Sequence, residues 1–463
     1  MAGKRSSFSG TIGFVLAAAG SAVGLGNIWR FPYLAAKDGG GLFLLVYLIL
    51  AVTFGFTLLT TELAIGRKTR RSSLSAYRRL NPRFKNLGIL ALIIPMVILP
   101  YYSAVGGWVM KYTVAYLTGN GAETATDGYF NNFISSETEP LIYTILFMAA
   151  TAYVVYRGVN KGIESSSKIL MPILLLMIVG IAIFSMTFEY TSDDGVTRSG
   201  LDGLKVFVIP DFTDLTLDKL SITIMDAIGQ LFFSLSVATG IMITYGSYVK
   251  SEDNLIKSIN KIEIFDTLVA FLAGMMIIPV VFVFMGQEGM NHSGPGLMFI
   301  CLPKIFSSMG TVGTVLGAVF FTMVLFAALT SAISMMEGIV ASFIDKFGYS
   351  RRKSTAIEFV ICAVVGVLVC LGYNILYFEL PLPNGVTAQI LDLLDYISNN
   401  MLMPLLALLT CVLVGWITKP KKIIDEITLN GEPFTRKGLY VVMVKYIAPI
   451  LLMLLLFKSV GVF

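Results

Sequence analysis

Apolar stretches of about twenty residues recur from one end of the chain to the other, separated by short polar breaks. A helix needs roughly 20 such residues to cross about 30 Å of hydrocarbon at about 1.5 Å per residue. The pattern predicts eleven spans, at about 11–35, 42–66, 88–117, 140–157, 167–187, 221–249, 258–285, 312–344, 355–373, 388–417 and 439–461. Two of them are interrupted. The first carries the run from Gly20 to Asn27, with three glycines and polar groups where a lipid-facing helix is most apolar. The sixth carries Ser234, Ser236, Thr239 and Gly240 at a matching place. Irregular backbone at that depth is tolerated only inside protein or around a cavity, and paired interruptions in two halves mark binding sites. Close helix packing by small residues is the alternative for either interruption taken alone. Spans one to five and six to ten fit two halves. The expected organisation is a single membrane domain over 1–463, with a first repeat at 11–187, an inverted second repeat at 220–417 and a last span at 439–461.

Composition agrees with the spans. Of 463 residues, 56% are hydrophobic and 14% charged, against roughly 25% charged in ordinary globular chains. That leaves too little polar surface to solvate a soluble body of this size. The net charge of +5 suggests a nucleic-acid partner only until the charges are located. The stretch from Gly66 to Leu87 holds eight basic residues and no acid, whereas Thr118 to Pro140 holds four acids and no Lys or Arg. The positive-inside bias then places the N-terminus in the cytoplasm and the C-terminus outside, in a cell membrane, with lipid as the neighbour and no nucleic acid. No obligate protein partner is evident. The first apolar run lacks a small-residue cleavage site and is retained. The four cysteines show no C-x-x-C spacing and His292 is the only histidine, which argues against a His/Cys metal site. No nucleophile elbow or metal spacing marks an enzyme. Asn291-His292-Ser293 matches a glycosylation sequon and is given no role.

Acids inside the spans stand out, because a carboxylate near the bilayer centre costs several kcal/mol unless paired. Asp266, in IEIFDTLVAFLAGMMIIP, lies about 15 Å along its span from the basic loop. Glu263 is one turn nearer the interface, and Glu62 and Glu337 read equally as packing partners or functional groups. Hard cations such as sodium need several oxygens, which broken helices expose as carbonyls and hydroxyls supply directly. Thr330 and Ser331 are candidates, although helix hydroxyls usually back-bond to the preceding turn. Amide groups at a broken helix present partial positive charge to an anion. A carboxylate-bearing ligand together with sodium satisfies both needs.

The segments AGSAVGLGNIWRFPY (Ala19 to Tyr33), GQLFFSLSVATGIMITYGSY (Gly229 to Tyr248) and LTSAIS (Leu329 to Ser334) resemble the signature segments of the neurotransmitter:sodium symporter family, most nearly its eleven-span bacterial amino-acid members. The resemblance runs through essentially the whole chain. It implies an all-α polytopic membrane protein with an inverted five-plus-five repeat, broken helices 1 and 6, and no enzymatic reaction. It also implies a first sodium site at Ala22, Asn27, Ser234, Asp266 and the substrate carboxylate, and a second at Gly20, Val23, Ala327, Thr330 and Ser331. The implied substrate positions are Ala22, Gly24, Gly26, Ile98, Tyr102, Phe233, Ser234, Ser236, Ala238, Thr239, Ser331 and Met335, with Tyr102 holding the carboxylate.

Three departures from the family pattern refine these expectations. Gly24 stands where monoamine-transporting members carry an aspartate, which implies a substrate that brings its own carboxylate. Thr239 stands where many members have phenylalanine or methionine, leaving room for a bulky hydrophobic or aromatic side chain. Asp266 replaces the asparagine of chloride-dependent members, whose chloride lies beside residues matching Tyr47, Gln230 and Ser234, so a fixed carboxylate supplies that charge and no chloride is expected. Arg30 and Asp395 match the family's outer gate, Arg5 and Asp345 its inner gate, with Phe8, Ser247 and Tyr248 nearby. An amino-acid-binding channel or receptor is the alternative from another functional class.

Overall fold

The computed structural model describes residues 6–191, 195–213, 215–289, 294–383 and 385–462. Arg5 and His292, with the Asn291–Ser293 sequon, lie outside the described residues. Among the described residues the fold is all-α apart from two short hairpins, β1 (Glu189–Thr191) with β2 (Thr197–Ser199) and β3 (Leu380–Pro381) with β4 (Thr387–Ala388). Among the described residues, nine helices are long and apolar enough to cross a membrane: α3 (Gly41–Thr69), α5 (Pro82–Leu117), α6 (Glu139–Tyr156), α7 (Val159–Met186), α11 (Leu255–Gly286), α12 (Gly310–Phe347), α13 (Arg351–Leu371), α14 (Ile390–Ile417) and α16 (Lys437–Ser459). The first span is a bent pair, α1 (Thr11–Ala22) and α2 (Gly26–Lys37), turned by 52° at the break. The sixth is divided into α9 (Leu217–Leu235) and α10 (Ile241–Gly246). All eleven spans read from hydropathy therefore have a helical counterpart.

Packing separates an inner group of helices from the rest. Helix α1, the second half of α9 and the segment around Glu62 of α3 are largely buried, whereas α6, α7, α13 and α16 carry exposed Ile142, Leu146, Leu176, Ile183, Val360, Val364 and Ile450. In a membrane these apolar faces meet lipid, so their exposure carries no penalty. Helix α12 runs alongside α5, and both also pack on α6. Toward the acidic loop, Trp108 and Tyr112 of α5 pack against Phe130 and Phe299. The basic stretch 66–87 reads as a loop but contains α4 (Ser73–Leu80), which packs on α5. Its Tyr77 is buried and bonds to Thr410 of α14 at 2.8 Å.

Candidate functional site

The two breaks face each other and are stitched together. Helix α1 stops at Ala22, Val23 is extended, and the chain resumes at Gly26 as a π-helical turn running to Arg30. In the sixth span Ser236 and Ala238 take positive φ, 51° and 58°, ahead of Gly240 at 75°. That region is uncommon for residues with a Cβ, and it persists where surrounding contacts fix it. Here they do. The Ser236 hydroxyl donates to the Ser21 carbonyl at 2.8 Å, and the Ala238 N–H donates to Glu62 Oε1 at 2.6 Å. Glu62 thus holds the turn between α9 and α10, a use that its sequence context left open.

Beside the breaks lies a buried carboxylate without a cationic partner. Asp266 of α11 is 1% exposed. It accepts from the Ser234 hydroxyl at 2.7 and 2.9 Å and from the Asn27 amide at 2.9 Å, and Tyr47 Oη lies 3.5 Å away. Asn27 also donates to Ser234 at 2.9 Å. Among the described residues no Lys or Arg pairs with Asp266. A half-turn of the Asn27 amide would present its oxygen to the same ring, so three oxygen-bearing groups converge on one point. The donor set is all-oxygen with one negative charge, which suits a hard monovalent cation and neutralises a carboxylate that otherwise costs roughly 2.5–3.5 kcal/mol at this depth. The Gln230 amide donates to the Gly26 carbonyl at 3.0 Å and supports the break from the far side.

A second cluster of oxygens forms where α12 passes the end of α1. The Ser331 hydroxyl lies 3.4, 3.1 and 3.4 Å from the carbonyl oxygens of Gly20, Ser21 and Val23. Carbonyls at a helix C-terminus carry partial negative charge, so they attract a cation. Thr330 Oγ1 is turned to the carbonyls of Phe326 and Ala327 at 3.0 and 3.1 Å. Gly20, Val23, Ala327, Thr330 and Ser331 are thus near one another, and Ser21 joins them without having been anticipated.

Between the clusters is a small cavity lined by Gly24, Ile98, Tyr102, Phe233, Ser236, Thr239, Ser331 and Met335 of the expected set. Ala22, Gly26, Ser234 and Ala238 sit behind the wall; the Ala238 amide faces Glu62 instead. At one corner the Leu25 N–H donates to Tyr102 Oη at 3.3 Å. A Cβ on Gly24 would stand 2.5 Å from Ser331 Oγ and 3.0 Å from Tyr102 Oη, so only glycine leaves that corner free. Ser21, Phe232 and Ile241, with Asn399 and Met403 of α14, complete the lining. Sequence reasoning missed Asn399, although the paired asparagines in ISNNMLMP interrupt an apolar run and could have pointed to it.

The matching family model is described as the sodium:neurotransmitter symporter family and covers residues 5–139 and 130–463. The chain belongs to this family. It is 33% identical to an uncharacterized sodium-dependent transporter, YhdH, of Bacillus subtilis, over 99% of this chain and 98% of that one. The human sodium- and chloride-dependent GABA transporter 2 is 26% identical over 92% of this chain and 75% of its own length. The crystal structure of MhsT in complex with L-phenylalanine superposes with a TM-score of 0.86, at 34% identity, over 98% of this chain and all of that one. The relatives are transporters, and this chain is a multi-pass, sodium-dependent member of that family with the MhsT fold.

In this symporter the two mouths of the site differ. Toward the basic face Phe8 packs on Phe14, Tyr245 and Tyr248, each no more than 3% exposed. Tyr248 donates to Glu337 at 2.6 Å, and Arg351 grips the same carboxylate at 2.5 and 2.9 Å. Asp345 accepts from the Ser72 N–H at 2.6 Å and lies 3.8 Å from Arg71. The Ser9 N–H donates to Glu164 of α7 at 2.9 Å, with Lys168 at 2.7 Å from that carboxylate, a tie that no motif announced. Toward the opposite face Arg30 lies over the Phe233 ring, 5.9 Å from its centroid. Arg30 and Asp395 are not in ion-pair contact, because Asp395 is held by Tyr101 at 3.1 Å and Asn399 at 2.5 Å. Glu263 pairs with Arg436 at 2.8 Å.

Proposed function

We propose that this chain is a sodium-coupled symporter of a neutral amino acid with a bulky hydrophobic or aromatic side chain, working by alternating access without chloride. The observation that carries this reading is Asp266, buried with Asn27 and Ser234 and, among the described residues, no cationic side chain, next to a cavity lined by both hydroxyl-bearing and apolar side chains. Sodium at that carboxylate supplies the missing positive charge and gives a substrate carboxylate an electrostatic partner. The second oxygen cluster at Ser331 and Thr330 is the proposed second sodium site. The Tyr102 hydroxyl and the amides after Val23 are the proposed carboxylate anchors, while Ile98, Phe233 and Met335 receive the side chain. The L-phenylalanine bound in MhsT supports a substrate of that class.

Spans one to five (11–187) and six to ten (220–417) are read as the two inverted repeats, with span eleven at 439–461 added. The basic face is taken as cytoplasmic, so the N-terminus is inside, the C-terminus outside, and the membrane is the cell membrane. Arg5, Tyr248 and Asp345 then belong to the inner gate and Arg30 and Asp395 to the outer one. Rocking of the first, second, sixth and seventh spans (α1 to α3 and α9 to α11) against the rest around the fixed site would open them in turn. Competition with labelled uptake across all proteinogenic amino acids tests the substrate assignment. Block by leucine, tyrosine, phenylalanine or tryptophan is expected; block by glycine or alanine alone would overturn it.

A further inference from the structure

On the basic face, away from the transport site, a surface cavity of about 690 Å³ opens between the end of α14, the short helix α15 (Lys421–Ile427) and the first turns of α16. It is lined by Lys419, Lys421, Lys437 and Lys445, with Asp425 its one acid and Val441 on its apolar wall. No carboxylate of the described residues lies within ion-pair distance of the four lysines, so their charge is uncompensated. Lys445 is half-buried and lies eight residues into α16, about 12 Å along the helix from Lys437. A cation at that depth snorkels toward an anionic layer. Lys419 is held at φ 65°, unusual for a residue with a Cβ. The neighbouring surface is that of a membrane boundary. Trp416 and Tyr446, each at least half exposed, meet edge-on at 5.6 Å, Trp416 donates to the Lys445 carbonyl at 3.0 Å, and Val442 and Ile447 are bare. Aromatic rings of this kind settle at headgroup level.

We propose that this cavity binds one anionic phospholipid of the inner leaflet, its phosphodiester held by Lys437, Lys445 and the lysines of the α14–α15 turn and its acyl chains lying on Val441 and Val442. A lipid fits better than a soluble anion, because the half-buried Lys445 and the exposed apolar residues flank the same opening and a free phosphate would leave the apolar wall bare. Clustered basic residues next to a span recognise anionic headgroups with about 1 kcal/mol per charge. The assignment to the inner leaflet rests on the orientation proposed above, whereas lipid retention in micelles does not depend on orientation. The two therefore fail separately. Labelling of Asn430→Cys by an impermeant maleimide from outside intact cells would overturn the orientation alone.

The test is native mass spectrometry of the full-length protein in mixed micelles with phosphatidylglycerol or phosphatidylcholine. One phosphatidylglycerol is expected to remain bound preferentially. Lys437→Gln and Lys445→Gln should each lower its retention about fivefold, whereas Lys437→Arg and Lys445→Arg, which keep the charge, should retain it. Equal retention of the two lipids, or no loss in the Lys437→Gln/Lys445→Gln double variant, would overturn the proposal. So would displacement of the lipid by inorganic phosphate at matched phosphate concentration, which would mark a site for soluble anions.

Discussion

Replacing Asp266 by asparagine removes one charge and keeps the shape. The carboxylate is fully enclosed, and its partners Ser234 and Asn27 sit at 2.7 to 2.9 Å. A cation held by this ring lies within about 4 Å of the centre of the negative charge. At an effective dielectric constant near 20 the attraction is worth about 4 kcal/mol, a ceiling of about a thousandfold in sodium affinity. Asparagine still hydrogen-bonds to Ser234, and an uncompensated buried charge is gone, so Asp266→Asn should fold with undiminished thermal stability. Titration of labelled-substrate binding against sodium is the assay. The half-saturating sodium concentration is expected to rise by two to three orders of magnitude, and chloride, placed beside Tyr47, Gln230 and Ser234, should partly restore binding. A half-saturating concentration within threefold of the parent protein, in a variant that is folded, would refute the electrostatic reasoning.

Three further outcomes are expected. Ser331→Ala removes the hydroxyl that faces the carbonyls of Gly20, Ser21 and Val23; the sodium dependence of uptake should lose its cooperativity, with the Hill coefficient falling toward one. Thr239→Phe should fill part of the cavity that Thr239 lines and shift competition from aromatic to small amino acids, with inhibition by tryptophan weakened at least tenfold. Asp38, just past the far end of α2, is pushed from its ordinary 3.8 to about 7 by burial, then by the nearby Asp226 charge. Its neutral form is therefore favoured in the fold, and the stability it contributes is full below pH 3.8 and lost as pH rises through about 7. Melting in detergent should show the parent losing stability over that window and Asp38→Asn losing less; parallel profiles would contradict the assignment.

Much of the fold was legible because hydrocarbon imposes a simple rule: a span must be apolar and about twenty residues long. The interruption at Gly20–Asn27 stood out for the same reason, as did Asp266. What stayed hidden depends on contacts between distant segments. Nothing local in the sequence says that Ser236 and Ala238 take positive φ as Gly240 does, because Glu62 of α3 and Ser21 of α1 enforce it from outside. The tie between Ser9 and Glu164 joins positions 155 residues apart and follows no pattern. Arg30 and Asp395 were readable as a pair of positions, but not that the carboxylate bonds to Tyr101 and Asn399 instead of the guanidinium. The helix α4 escaped notice because its basic residues read as a charged loop while its apolar face is only Leu74, Ala76, Tyr77 and Leu80.

The central claim is that an inward sodium gradient drives a bulky neutral amino acid through this site without chloride. Uptake into proteoliposomes under an imposed sodium gradient, with chloride replaced by gluconate, tests it most directly. Accumulation of labelled phenylalanine or leucine above the equilibrium level, collapsing when the sodium gradient is abolished and unchanged by gluconate, is the expected result. Equilibration without accumulation would indicate a channel or a receptor, and a strict chloride requirement would contradict the role given to Asp266.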